Sequence, residues 1–325
     1  MENLITLFQQ ISLQPNTSNS IFNTLPISEF TNHRISKNET GNPILLINVT
    51  ASSQNLNLPS IKLQNIAVHF DAQCNVSTNN QVIKGVFTII SFTGFKHELE
   101  LYFLKLGDLL LKAIGNTPTQ TQVYTEVYKL IELFKAANQP PLKSVQGLWA
   151  ELLIIEQAKD THIFTKAWHS SPTDKYDFSY KAERLEIKSS SLRKREHHFS
   201  LEQLTPPQNT QLVIASVFVE EISNGKSLED LQNSITQKLS NDFELQQHLN
   251  LMIARTLGNT IMEAKKITFD YELAIQSVSF YDSKQIPTIN TKHIPNEISN
   301  IHFKVNLSNI ENMKSVKNHF LIDKY

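Results

Sequence analysis

"YDFSYKAERLEIKSSS", residues 176–191, reads as a β-hairpin with two unlike faces. Side chains alternate along a strand with period two. With the turn centred on Ala182 and Glu183, Lys181 faces Arg184, Ser179 faces Glu186 and Asp177 faces Lys188. One face then carries Asp177, Ser179, Glu186 and Lys188. The other carries Tyr176, Phe178, Tyr180, Leu185 and Ile187. A solvated polar face over a core-facing apolar one would explain this much. Glu-x-Lys triplets are also cheap: a second stands at Glu263–Lys265, and an Asp-x-Lys at Asp282–Lys284.

Two flanking features point to chemistry instead. Upstream, "GLWAELLI" (147–154) is a helix in which Glu151 sits among Trp149, Leu152, Leu153 and Ile155. A carboxylate buried there needs a partner or a metal, and its alternative is a salt bridge at the helix edge. Downstream, Lys181, Arg184, Lys188, Arg193, Lys194 and Arg195 outnumber Glu183, Glu186 and Glu196. A basic strip beside an acidic pocket suits a polyanion whose reacting phosphate lies on a metal, whereas its bland alternative is an ordinary solvated turn. Hard oxygen ligands from Asp177, Glu186 and Glu151, with the Ile187 carbonyl, would hold Mg2+, with Mn2+ as a substitute. Lys188, on the same face as Glu186, would orient a water and offset developing phosphorane charge.

The totals neither support nor exclude this. A hydrophobic share of 40% fits a folded chain, and a net charge of −1 leaves room only for a local basic groove. Cys74 is the single cysteine, which excludes a disulfide framework and a cysteine-based zinc site. "MENLITLFQQ" lacks the basic start and long apolar core of a signal peptide, and no run of about 18 apolar residues occurs, so a cytoplasmic protein with no membrane partner is expected.

Along the chain, "QPNTSNSIFNTLP" (14–26) reads as loop, and strands are expected at 43–50, 61–70 and 81–92. Helices are expected over 96–114 and about 118–136, the latter with a threonine cap. Pro140 and Pro141 break the pattern. The expected division is an N-terminal α+β accessory domain with a small, largely antiparallel sheet over 1–140, and a second domain over 141–325. In the latter, helices are expected over 145–160, within 198–204 (capped by Ser200), over 227–239 (Ser227 and Asp230 forming a capping box) and over 242–256. A buried strand is expected over 211–221, and further strands over 270–282 and 300–307.

An acid on a helix, then an aspartate, then Glu-x-Lys on the next strand resembles the PD-(D/E)XK nuclease superfamily. More narrowly, "GLWAELLII", "W…YDF", "LEIKSSS" and "HHFSLEQL", in this order, resemble the bacterial PD-(D/E)XK motif proteins of restriction–modification and phage-defence loci. The resemblance is strongest over about 145–215. It implies a restriction-endonuclease-like core, a mixed sheet flanked by helices, acting on DNA. It matches Glu151 to the helix acid, Asp177 to the motif aspartate, and Glu186 and Lys188 to the Glu-x-Lys pair. Gln203 falls where some relatives place a glutamine near the metal or phosphate. Tyr176 stands where the motif's name has proline.

The resemblance therefore implies a Mg2+-dependent DNA endonuclease serving bacterial defence, alone or with a methyltransferase or ATPase subunit. No Gly-rich phosphate loop is present to supply a motor of its own. Cutting both strands would call for two active sites, hence a homodimer or a heteromeric complex. The alternative is a non-catalytic subunit that keeps the fold and binds DNA or a partner. A two-carboxylate glycosidase leaves Lys188 without a role.

Overall fold

In the computed structural model the chain divides into two compact units, residues 1–139 and 140–325. The structure describes residues 3–12, 21–49, 58–78, 81–169, 174–290, 294–295, 297–313, 320–323 and 325.

The first unit contains α1 (Leu4–Gln9), β1 (Ile21–Ile27), β2 (Phe30–Lys37), β3 (Pro43–Asn48), β4 (Ile61–Lys62), β5 (Ile66–Thr78), β6 (Gln81–Phe92), α2 (His97–Ile114) and α3 (Gln120–Ala136). One sheet takes the order β1-β2-β3-β6-β5-β4, and a parallel pairing of β1 with the far end of β5 closes it on itself. Every other pairing is antiparallel. The α3 N-terminus is closed by Thr119 and Gln122 in a reciprocal capping box.

The stretch read as loop differs. Residues 14–20 lie outside the described residues, but 21–26 belong to β1. Polar neighbours hide the strand in sequence. It is stabilised by β2 on one edge and β5 on the other, a tertiary gain that overrides local propensity.

The second unit contains α4 (Val145–Gln157), α5 (Thr161–Ala167), β7 (Phe178–Tyr180), β8 (Glu183–Ser190), β9 (Glu196–Ser200), β10 (Gln211–Phe218), β11 (Glu221–Ser227), α6 (Leu228–Lys238), α7 (Phe243–Leu257), α8 (Ile261–Ala264), β12 (Thr268–Phe269), α9 (Tyr271–Ser277), β13 (Ser279–Asp282) and β14 (His302–Asn306). Its central sheet runs β13-β10-β8-β7 and is mixed: β10 lies parallel to β8 and antiparallel to β13, and β7 is antiparallel to β8. The apolar run of β10, broken only by the buried Ser216, is what a strand covered on both faces requires. Residues 148–156 of α4 are all buried, so this helix has no solvent face. It starts where Ser144 accepts from the Gly147 amide, and it packs on β8.

Three expectations change here. Over 198–204 there is no helix: β9 pairs with β14, and the Ser200 hydroxyl accepts from the Gln203 amide to close a single turn. Over 270–282 the first half is α9, capped by Asp270, and only 279–282 form a strand. In the hairpin, Phe178 pairs Leu185, Ser179 pairs Arg184 and Tyr180 pairs Glu183, so the turn is Lys181–Ala182 with Lys181 at φ 50°. That positive φ is the backbone requirement of a two-residue hairpin turn, and composition did not announce it at a lysine. The shift is by two residues, so the division of the strands into two faces survives. Tyr176 precedes β7 and escapes the alternation. It packs with Phe199, Leu204, Leu212 and Ile214, on the face of the sheet that also carries Glu186.

Candidate active site

Glu151, Asp177 and Glu186 are each about 4% exposed or less. Each is delivered by a different element. Glu151 comes from the middle of the buried helix α4, Asp177 from the residue before β7, and Glu186 from the middle of β8. Burying three carboxylates costs heavily unless cations and hydrogen bonds answer them.

Glu151 is fully answered. One oxygen accepts from the Trp168 indole at 2.8 Å and faces His169 Nε2 at 3.1 Å, while the other accepts from Lys143 Nζ at 2.7 Å. Burial alone would raise its pKa, but His169 and Lys143 bring it down to about 2. Asp177 Oδ1 accepts from the same Lys143 ammonium at 2.6 Å, and Oδ2 accepts from the Ile187 amide at 2.7 Å. Burial, with the Glu151 and Glu186 carboxylates nearby, pushes Asp177 up to about 7. For Lys143, burial works against the charge, yet Asp177 and Glu151 more than reverse it and hold its pKa above the ordinary value.

Glu186 is answered on one side only. Its Oε1 accepts from Lys188 Nζ at 2.9 Å and from the Gln203 amide at 2.7 Å. Gln203 Oε1 in turn accepts from Lys188 at 3.2 Å and from the Ser200 amide at 3.1 Å, so the turn after β9 holds the Glu-x-Lys pair in place. The Lys188 ammonium also lies 5.0 Å from the Phe199 ring centroid. Glu186 Oε2 is buried and has no hydrogen-bond partner among the described residues. Such an oxygen has a lone pair to offer to a cation or a water.

A metal fits these donors. One ligand atom each from Glu151, His169 and Asp177 lie within 4.8 Å of one another, and Lys143 already places a positive charge between the two carboxylates. Ile187 donates its N–H toward Asp177, and in a strand a residue's N–H and C=O share one edge, so its carbonyl belongs to the same edge.

The structure thus brings together Glu151, Asp177, Glu186, Ile187, Lys188 and Gln203. It adds Lys143 and His169, which sequence reasoning did not single out. Neither carries a local signal: Lys143 lies in the Pro-rich break and His169 follows α5 in what reads as loop. Trp168 and His169 converge on one Glu151 oxygen, a relation visible only once α5 is packed. The arginines of the basic strip have local partners. Arg184 donates to the Lys181 and Glu183 carbonyls, Arg193 pairs with Glu220, and Arg195 donates to the Ser216 and Ser277 carbonyls. These contacts orient the guanidiniums, and Arg193 and Arg195 line an open pocket with Phe218, Tyr281 and Asn312.

A mixed sheet with an aspartate at its edge, Glu-x-Lys on the adjoining strand and a carboxylate on the covering helix is a nuclease-like α+β arrangement. The family described as "Putative PD-(D/E)XK family member, (DUF4420)" matches residues 4–308, and the chain belongs to it. No curated protein and no solved structure matches the chain. Among the described residues, no helix is long and apolar enough to cross a membrane.

Proposed function

We propose that this chain is a divalent-metal-dependent endonuclease that hydrolyses phosphodiester bonds of DNA. The observation that carries the reading is Glu186: one oxygen is held by Lys188 and Gln203, the other is buried with no hydrogen-bond partner among the described residues, and its charge reaches Asp177. Asp177, Glu186, Glu151 and the Ile187 carbonyl would hold Mg2+ or Mn2+, with His169 as a further donor that favours Mn2+ over the harder Mg2+. Bound there, the ion would polarise a phosphoryl oxygen and acidify its water. Lys188 supplies the fixed positive charge. Its ammonium is set by Glu186 and Gln203 so that a third N–H remains to orient a water and to offset charge on the reacting phosphate. Trp168 and the Ile187 amide fix the Glu151 and Asp177 carboxylates before any ligand binds.

The resemblance to restriction and phage-defence proteins supports a place in such a system, with methyltransferase or ATPase subunits as candidate partners and a homodimer as one way to cut both strands. A second reading has its own observation. Lys143 closes the gap between Glu151 and Asp177 as a finished ion pair would in a non-catalytic subunit. Incubation of methylated and unmethylated plasmid DNA with Mg2+ or Mn2+, with Lys188→Ala alongside, separates the two. Metal-dependent nicking that vanishes in the variant establishes the nuclease. Wild-type-like cutting by Lys188→Ala overturns the mechanism, and absence of Mn2+ binding by the wild type leaves the non-catalytic reading.

A further inference from the structure

Lys143 stands at the end of the strap that enters α4, one residue before the Ser144 cap. Its ammonium lies 2.7 Å from Glu151 Oε1, 2.6 Å from Asp177 Oδ1 and 3.4 Å from His169 Nε2. These are the three side chains whose donor atoms come close enough to share a metal. We propose that Lys143 is a resident cation of the metal-free site, and that it is displaced from between Glu151 and Asp177 when a divalent metal enters. The inference rests on the nuclease reading.

Charge decides that both cannot stay. In the ionised form that a metal binds, three buried carboxylates face two ammoniums, Lys143 and Lys188. A divalent ion added to that set leaves a net positive charge in a largely buried site. With Lys143 gone, the three carboxylates, Lys188 and the ion balance to zero. An ammonium and a metal competing for the same two oxygens also repel each other at contact distance, where Coulomb terms are largest.

The two lysines are not equally able to leave. Lys188 is 16% exposed and is pinned by Glu186, Gln203 and the Phe199 ring. The Lys143 side chain is 37% exposed, so its stem already borders solvent. Its backbone need not follow, because the Leu142 amide is anchored to the Thr256 carbonyl at 2.8 Å. A flexible four-carbon stem on a fixed anchor can swing its charge into water while the strap stays. Before metal arrives, the same ammonium spares Glu151 and Asp177 their mutual repulsion, so the site can fold without an ion.

The test reads Lys143 directly in the wild-type protein. Limiting acetic anhydride is applied with and without saturating Mn2+, saturation being read from the Mn2+ electron paramagnetic resonance signal. Acetylation is quantified by peptide mass spectrometry, with the exposed Lys62 as internal reference. The expected result is a several-fold rise in Lys143 acetylation on Mn2+ binding with Lys62 unchanged. Unchanged or reduced Lys143 acetylation at Mn2+ saturation overturns the inference and leaves the nuclease reading standing. No Mn2+ binding at all overturns both. A second arm uses Lys143→Met, which keeps the stem and removes the charge. It should melt lower than wild type without metal and bind Mn2+ at least about tenfold more tightly, since the competing charge is gone. Equal Mn2+ affinity counts against displacement. The labelling arm needs no variant, so a misfolded Lys143→Met does not blunt the test.

Discussion

The Ile187 amide donates to Asp177 Oδ2 at 2.7 Å, tying the carboxylate before β7 to the backbone of the Glu-x-Lys strand. β7 pairs with β8 only as far as Leu185, and beyond that point this edge of β8 has no ladder partner among the described residues. Asp177 completes the ladder with a side chain where the strand has run out. One residue thereby does two jobs, satisfying a buried N–H and presenting a carboxylate to the site.

Asp177→Asn separates those jobs. The amide oxygen can still accept from Ile187, while the charge is lost. Because burial and the Glu151 and Glu186 carboxylates push Asp177 up to about 7, the fold prefers a neutral group here. The metal-free variant is expected to melt no lower than wild type near neutral pH, to lose cleavage, and to bind Mn2+ at least about tenfold more weakly. Calorimetric melting and Mn2+ titration check this. A clear drop in melting temperature would show that the Lys143 ion pair outweighs the burial cost.

Gln203→Leu tests the brace behind Glu-x-Lys. Gln203 donates to Glu186 and accepts from Lys188, so its loss frees both to reorient. Partners of this kind are typically worth about 10–100-fold in metal affinity or activity. The expected outcome is a fall in kcat within that range with secondary structure intact by circular dichroism. Unaltered kcat would place Gln203 among residues that only shape the turn after β9.

Phe178→Ala addresses the other face of the hairpin. Phe178 is fully buried and meets the Phe164 ring at 5.6 Å between centroids, joining β7 to α5. Truncating a buried phenylalanine costs about 3–5 kcal/mol. Urea unfolding should show a loss of that size, and an unchanged midpoint would mean that the packing of α5 on β7 is not as described.

What was legible in the sequence followed from alternation. Two faces could be read because side-chain direction repeats every second residue, and within the paired strands that survived even though the turn lies at Lys181–Ala182; Tyr176, before β7, falls on the other face. The capping signals were legible too: Ser227 with Asp230, and a threonine before α3, act locally and need no partner element. What failed was non-local. β1 is a strand because β2 and β5 flank it, and 198–200 extend because β14 lies alongside. Lys143 and His169 reach the site from loop positions, with no period to place them. The local partners of the arginines at 184, 193 and 195 were not legible either: the carbonyls and the carboxylate that engage them come from Lys181, Glu183, Ser216, Glu220 and Ser277.

His197 provides the last prediction, which is one of pH. It is buried on β9 with Nε2 2.8 Å from the Ser216 hydroxyl, and Ser216 pairs with Lys188 across β10 and β8. Burial first, then the charges of Lys188, Arg195 and His198, lower its pKa from 6.5 to about 4. Between those values the unfolded chain binds the proton and the folded chain does not. Stability from His197 is therefore complete above about pH 6.5 and is lost as pH falls toward about 4, an effect on the order of 3 kcal/mol. Asp177 runs the other way: its folded pKa is raised from 3.8 to about 7, so its contribution is lost as pH rises through that interval. Comparing wild type with His197→Gln cancels Asp177 and isolates the histidine. In metal-free urea unfolding, the advantage of wild type over His197→Gln should be largest above pH 7 and should shrink steadily toward pH 4.5. A gap that stays constant across that range would mean that His197 titrates alike in the folded and unfolded chains, and that burial of the ring does not shift it.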